Sequence, residues 1–160
     1  MFTLKDKKSI FREIIQSLEQ NLSDLRNAAE QAHQGATHED AVAKSKYETH
    51  GLELSYLAGT QYERARKLET DLAILKKFEI KPLEEDEEIS IGSLVEISDG
   101  KKSTFVFISS QGAGSEVTYN GKKILVLSST SPMGESLIGS SIYDEFEVQK
   151  EKFMTILSAI

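Results

Sequence analysis

Two stretches of the chain carry their apolar residues at alternating steps of four and three. Phe11, Ile15, Leu18, Leu22, Leu25, Ala29 and Ala32 follow that rhythm, and Leu54, Ala58, Gln61, Ala65, Leu68, Leu72 and Leu75 repeat it. Such spacing draws one narrow stripe along a helix, the seam of a coiled coil. Between the two runs lies "HQGATHEDAVAK", residues 33–44. Gly35 can break the first helix there. Thr37 can cap the next, with Asp40 three residues on, a loose capping box because Glu or Gln is the usual partner. The pattern predicts an antiparallel coiled-coil hairpin over residues 1–80 with its tip near 34–40. A helix of about 29 residues would span roughly 43 Å at ~1.5 Å per residue. That exceeds what a small core needs, so the hairpin is expected to project. Packing accounts for the seam and solvation for most charges outside it. Packing explains the tip least.

From residue 92 onward the period changes to two. Strands are predicted at 94–98, 103–109, 116–119, 122–128, 145–149 and 152–158. Asn120-Gly121 reads as a hairpin turn, because a type I′ turn needs positive φ at both central residues. Ser98–Lys102 is a second turn. Ser131 before Pro132 reads as a helix start: Ser can cap, and Pro fits the first helical position. Leu137 and Ile138 supply the buried side, and Gly139 can take the positive φ that ends a short helix. The expectation is α+β, the hairpin followed by a small antiparallel sheet domain with one short helix at 92–160. "GAGS" at 112–115 lacks the Lys-Ser/Thr of a phosphate loop and reads as a flexible loop. The linker, 81–91, begins where Pro82 disfavours further helix. Its run Glu84–Glu88 reads as solvated, with nothing specific to support a metal or basic-partner site.

Composition narrows the chemistry. The 160 residues include no Cys, which excludes disulfides, thiol nucleophiles and Cys-based metal sites. No run of about 18 apolar residues occurs, and the N-terminal stretch lacks a signal peptide's apolar core, so a soluble cytoplasmic protein with no membrane partner is expected. The formal charge of −7 argues against a general nucleic-acid coat. The imbalance sits in the second half: residues 1–80 carry 12 basic and 13 acidic side chains, residues 81–160 carry 7 and 13. His33, His38 and His50 lack a metal-binding spacing and read as surface residues. There is no nucleophile elbow and no dinucleotide fingerprint. These features alone describe a projecting coiled coil on a small sheet domain, an interaction protein rather than an enzyme.

The segment "SSTSPMGESLIGSSIYDEFEV", residues 128–148, resembles the C-terminal signature of the bacterial transcript cleavage factors GreA and GreB. That signature is a Ser-Pro, a short apolar helix, Leu-hydrophobic-Gly, then an Asp and alternating apolar residues. "IGSLVEI" (91–97) is similar to the opening strand of the same domain. "SKYETHGLELSYLAGTQYERARKLETDL" is similar to its second hairpin helix. The order of parts agrees along nearly the whole chain. The resemblance implies an FKBP-like C-terminal domain that docks at the rim of the RNA polymerase secondary channel. It implies a coiled coil that reaches the polymerase active site, where two tip acids help hold a second Mg²⁺. On this reading the polymerase remains the enzyme and hydrolyses backtracked RNA, and the factor, with no cofactor of its own, meets the nascent RNA 3′ end only indirectly. Carboxylate oxygens suit Mg²⁺, and a two-metal site stabilises attacking and leaving oxygens together. Pro132, Met133, Leu137, Ile138 and Gly139 form the implied docking segment, either shaping its surface or touching the partner.

The tip departs from the family pattern. Aligning Tyr47 with the family's tyrosine puts Asp40 on the family's Asp, but Ala43 falls where the family has Glu and Lys44 where it has Asn. Glu39 and Asp40 are then the candidate catalytic and Mg²⁺-holding pair. On a helix adjacent side chains diverge by about 100°, whereas in a loop they can converge, so one or both can reach the metal. Lys44 and Lys46 are candidate RNA contacts or simply keep the helix soluble. Three functions stay open: a cleavage factor, a channel-binding regulator without cleavage, and a coiled-coil adaptor for another partner. A seam satisfied within one hairpin implies a monomer, although a heptad stripe can also pair between chains.

Overall fold

The computed structural model describes residues 2–37, 45–84, 87–149 and 152–160. Two long helices, α1 (Leu4–Thr37) and α2 (Ser45–Leu75), precede strands β1 (Leu94–Ser98), β2 (Ser103–Ser109), β3 (Glu116–Tyr119) and β4 (Lys122–Ser128). A short helix α3 (Pro132–Leu137) and strands β5 (Glu145–Gln149) and β6 (Lys152–Ala159) complete the chain. Two compact units result, one of Leu18–Ala73 and one of Met1–Ser17 with Ile74–Ile160.

In the first unit the helices are antiparallel. Arg26 pairs with Glu69, while the Tyr62 hydroxyl donates to Glu30 at 3.3 Å, so the partner number falls as the first number rises. The seam read from spacing is the buried stripe. Leu18, Leu22, Ala29, Ala32, Ala58, Ala65 and Leu72 are buried, with Leu25, Leu54, Gln61 and Leu68 half-buried between them. Gly35 does not break α1, which continues to Thr37. A Cβ at Gly35 would lie 3.1 Å from Leu54 Cδ1, so the glycine serves close helix approach instead. Thr37 is the last residue of α1, and its hydroxyl donates back to the His33 carbonyl at 3.0 Å; the capping box expected with Asp40 lies outside the described residues.

In the second unit the sheet order is β3-β4-β2-β1-β6-β5. Four ladders are antiparallel, but β2 and β4 pair in parallel, Phe105 with Ile124 through Ser109 with Ser128. The expectation of a wholly antiparallel sheet therefore fails at one ladder, and the sheet is mixed. Edge protection explains it. β4 carries "ILVL" and suits an inner position, whereas β3 is short and polar and suits an edge. The β3–β4 turn is the one expected, with φ of 50° at Asn120 and 74° at Gly121.

The sheet is covered on both faces. On one, Ile89, Val95, Ile97, Val106, Ile108, Leu137, Phe146, Met154 and Ile156 form a continuous core under α3. On the other, Leu94, Phe107, Ile124 and Val126 are buried, and the Phe11 ring stacks on Phe107 with centroids 5.6 Å apart. Double coverage explains why Val106, Phe107 and Ile108 are all buried in succession. Ile10 and Ile14 are fully buried in the same unit though off the seam that spacing picks out. The start of α1 is fixed by a reciprocal capping box: Thr3 N donates to Asp6 Oδ2 at 2.8 Å and Asp6 N to the Thr3 hydroxyl at 3.3 Å. Phe2 meets Phe105 edge-on at 5.0 Å, and the Lys122 ammonium lies 4.4 Å from the Phe105 centroid.

Candidate functional site

The tip candidates fall where α1 gives way to α2. Glu39, Asp40 and Lys44, with His38 and Ala43, lie outside the described residues. Lys46 is on the first turn of α2. Among the described residues no three His, Asp or Glu side chains group as metal ligands. No helix among them is long and apolar enough to cross a membrane.

The docking candidates sit on α3 and the loop after it. Ser131 caps the helix as expected: its hydroxyl accepts from Gly134 N at 3.1 Å and donates to the Ser128 carbonyl at 2.8 Å. The same closeness demands a glycine at 134, where a Cβ would stand 2.0 Å from the Ser128 oxygen. Pro132 is exposed at the first helical position, and Met133 is partly buried against the core. Leu137 is 0% exposed, so it holds α3 on the sheet and can touch no partner. Ile138, expected on the buried side with Leu137, is instead 38% exposed, because it is the C-cap and its extended backbone leaves the helix. Gly139 is exposed with φ +80°, the positive φ expected, and its N–H donates to the Ile89 carbonyl at 2.9 Å. Ile89 N donates in turn to the Ser140 carbonyl at 2.9 Å, which stitches the end of the acidic linker to this loop. Glu84, Glu87 and Glu88 are exposed, as a solvated run should be.

Two features escaped the sequence reading. One is Lys7, buried at 2% exposure, whose ammonium donates to the carbonyls of Lys81 at 2.8 Å and Ile160 at 2.6 Å. Desolvation lowers its pKa to about 8, partly opposed by Glu87. It lies in the wall of a cleft of about 580 Å³ that also includes Phe78, Lys81, Glu84, Glu87 and Gly92. The walls mix both charges and bring together no nucleophile–base pair. The other is the turn after Gly139, where Tyr143 is 78% exposed and has φ +75°. The apolar-acidic string "IYDE" contains no sign of that backbone conformation. The "GAGS" loop is an ordered turn: Gly114 N donates to the Val126 carbonyl at 2.9 Å and the Ser115 hydroxyl to the Gly112 carbonyl at 2.8 Å. A strand follows it, so it cradles no phosphate.

Among solved structures, the chain is similar to the transcription factor Gfh1. One, titled "Structure of the transcription factor Gfh1", is 22% identical, covering 93% of this chain and 92% of that one at a TM-score of 0.37. GreA factor homolog 1 (Gfh1) of Thermus thermophilus is 20% identical, with 91% and 94% covered and the same TM-score of 0.37. Gfh1 of Thermus aquaticus is 22% identical, with 93% and 92% covered, again at a TM-score of 0.37. No protein-family model and no curated protein matches the chain. A likeness at this level says nothing of function.

Proposed function

We propose that this chain is an RNA polymerase secondary-channel factor of the Gre kind. Its sheet domain docks on the polymerase, and its hairpin enters the channel. The observation that supports this reading is the segment 128–148. Its Ser-Pro opens a capped helix, its Leu packs that helix on a sheet, and its Gly turns the chain, as the Gre-like signature requires. The same chain carries an antiparallel helical pair. The factor is not itself the enzyme. Glu39 and Asp40 would offer hard carboxylate oxygens to a Mg²⁺ shared with the polymerase, beside the RNA 3′ end. Lys44 and Lys46 would lie close to the same phosphates. An acidic protein can work there because the partner protein, not the nucleic acid, provides the binding energy.

Ala43 and Lys44, standing where the family has Glu and Asn, favour a second reading: a regulator that occupies the channel without stimulating cleavage. One assay separates the readings. A stalled, backtracked elongation complex is incubated with and without the protein. Faster Mg²⁺-dependent release of short 3′ RNA fragments supports the cleavage factor. In that event the double variant Glu39→Ala with Asp40→Ala returns cleavage to the factor-free rate while still binding polymerase. Inhibition of a known Gre factor without cleavage supports the regulator. Absence of both effects, together with failure to pull down polymerase, overturns both readings and leaves the adaptor.

A further inference from the structure

The loop from Ile138 to Asp144 displays apolar side chains where a stable domain has no use for them. Ile138 and Ile142 are each 38% exposed and Tyr143 is 78% exposed. Tyr143 is also held in the left-handed region at φ +75°, a backbone conformation strained for a residue with a Cβ. The loop enforces this conformation. Tyr143 N donates to the Ile156 carbonyl at 2.8 Å, Ile156 N to the Asp144 carbonyl at 3.0 Å, and Asp144 N to the Ser141 carbonyl at 3.2 Å. The Asp144 carboxylate accepts from Ser141 N at 2.8 Å and locks the turn from inside. A glycine would occupy the position without strain. Strained residues cluster at binding and switch sites, and here the strained residue is an outward-facing aromatic.

The charge around the loop restricts what binds there. Between Lys123 and Lys150 the chain has no basic residue, while Glu135, Asp144 and Glu145 are acidic. Glu88 joins them in space, with a carboxylate oxygen 3.7 Å from where a Cβ on Gly139 would be. The loop is therefore an exposed apolar stretch in an acidic part of the chain, and its complement is an apolar pocket rimmed by Lys or Arg.

We infer that Tyr143, with Ile142 and Ile138, is the anchor by which the sheet domain docks, and that the polymerase surface receiving it is an apolar pocket with a cationic rim. This rests on the polymerase reading above and adds to it two residues outside the Gre-like docking segment. Buried tyrosines are frequent energetic anchors of protein interfaces, and their removal costs about tenfold or more in affinity.

The test measures binding of the full chain to purified RNA polymerase from the source organism, together with thermal unfolding of each variant. Tyr143→Gly is expected to leave the melting temperature unchanged or raise it, yet weaken binding about tenfold or more. Tyr143→Phe is expected to keep wild-type affinity. Wild-type binding is expected to weaken as salt rises, less steeply in the Glu135→Gln, Glu145→Gln double variant. Wild-type affinity in Tyr143→Gly would overturn the anchor and leave the polymerase reading standing. A lower melting temperature in Tyr143→Gly would show the tyrosine to be structural and also overturn it. Salt-independent binding would overturn the cationic rim. Absence of wild-type binding would overturn this inference and the polymerase reading together.

Discussion

The hairpin unit and the sheet unit are built to different standards of packing. Among the described residues, the large side chains buried below 2% exposure, from Ile10 and Ile14 to Phe107, Leu137 and Ile156, all belong to Met1–Ser17 or Ile74–Ile160. Between Leu18 and Ala73 the most buried seam residue is an alanine, Ala29, and three leucines of the stripe are only half-buried. A helical pair can bury only one stripe per helix, whereas a sheet covered on both faces encloses side chains completely. Truncating a core side chain should therefore cost more stability in the sheet unit than along the hairpin seam.

Matched truncations test this contrast most strongly. Leu137→Ala removes a side chain at 0% exposure and should cost about 2–5 kcal/mol, the transfer term plus a cavity left in the core cluster to which it belongs. Leu68→Ala, at a half-buried seam position open to solvent on one side, should cost about 1 kcal/mol. Urea unfolding of both variants checks the ratio. Equal losses would mean that the two units share one packing standard after all.

The same contrast explains what could be read in advance. The hairpin seam was legible residue by residue, because one stripe leaves one periodicity. All six strands were legible as well, along with the Asn120-Gly121 turn and the Ser131 cap, since each depends on neighbours within a few residues. The parallel ladder between β2 and β4 was not. Alternation tells which face a residue shares but not which strand lies alongside. Lys7 was missed for a related reason: its ammonium meets the carbonyls of Lys81 and Ile160, contacts across more than 70 positions that no local period encodes. Within the candidate segment the burial of Leu137 was legible, but Ile138, expected beside it on the buried side, is exposed. Tyr143 was invisible because positive φ in a non-glycine is imposed by the surrounding hydrogen bonds.

Lys7 offers a second, smaller test, because it is a cost placed inside the well-packed unit. Its folded pKa of about 8 lies below the ordinary 10.5. Between those values the unfolded chain holds a proton that the folded chain has released, so stability rises with pH across that window. Below about pH 8 the penalty of burying the ammonium is fully present. Denaturant unfolding from pH 7 to 10.5 should show this rise in the wild type, and subtracting the curve for Lys7→Met should isolate it. Curves that stay parallel would mean that the Lys81 and Ile160 carbonyls solvate the ammonium as well as water does.

The smallest effect is expected in the hairpin and has the opposite sign. Gln61 occupies a seam position, and its side-chain oxygen is buried without a hydrogen-bond partner among the described residues. An orphaned acceptor costs free energy that an apolar side chain of similar size would not, so Gln61→Leu should raise stability by about 1 kcal/mol. A polar residue in a seam can also restrict which helices pair, since a stripe of leucine and alanine alone fits a second chain nearly as well as its own partner. Sedimentation of the same variant separates the two roles. A more stable Gln61→Leu that stays monomeric makes the glutamine a plain cost. A more stable variant that self-associates makes it the feature that keeps the hairpin paired with itself. A less stable variant would mean that the buried oxygen has a partner, and the hairpin would then be as closely satisfied as the sheet.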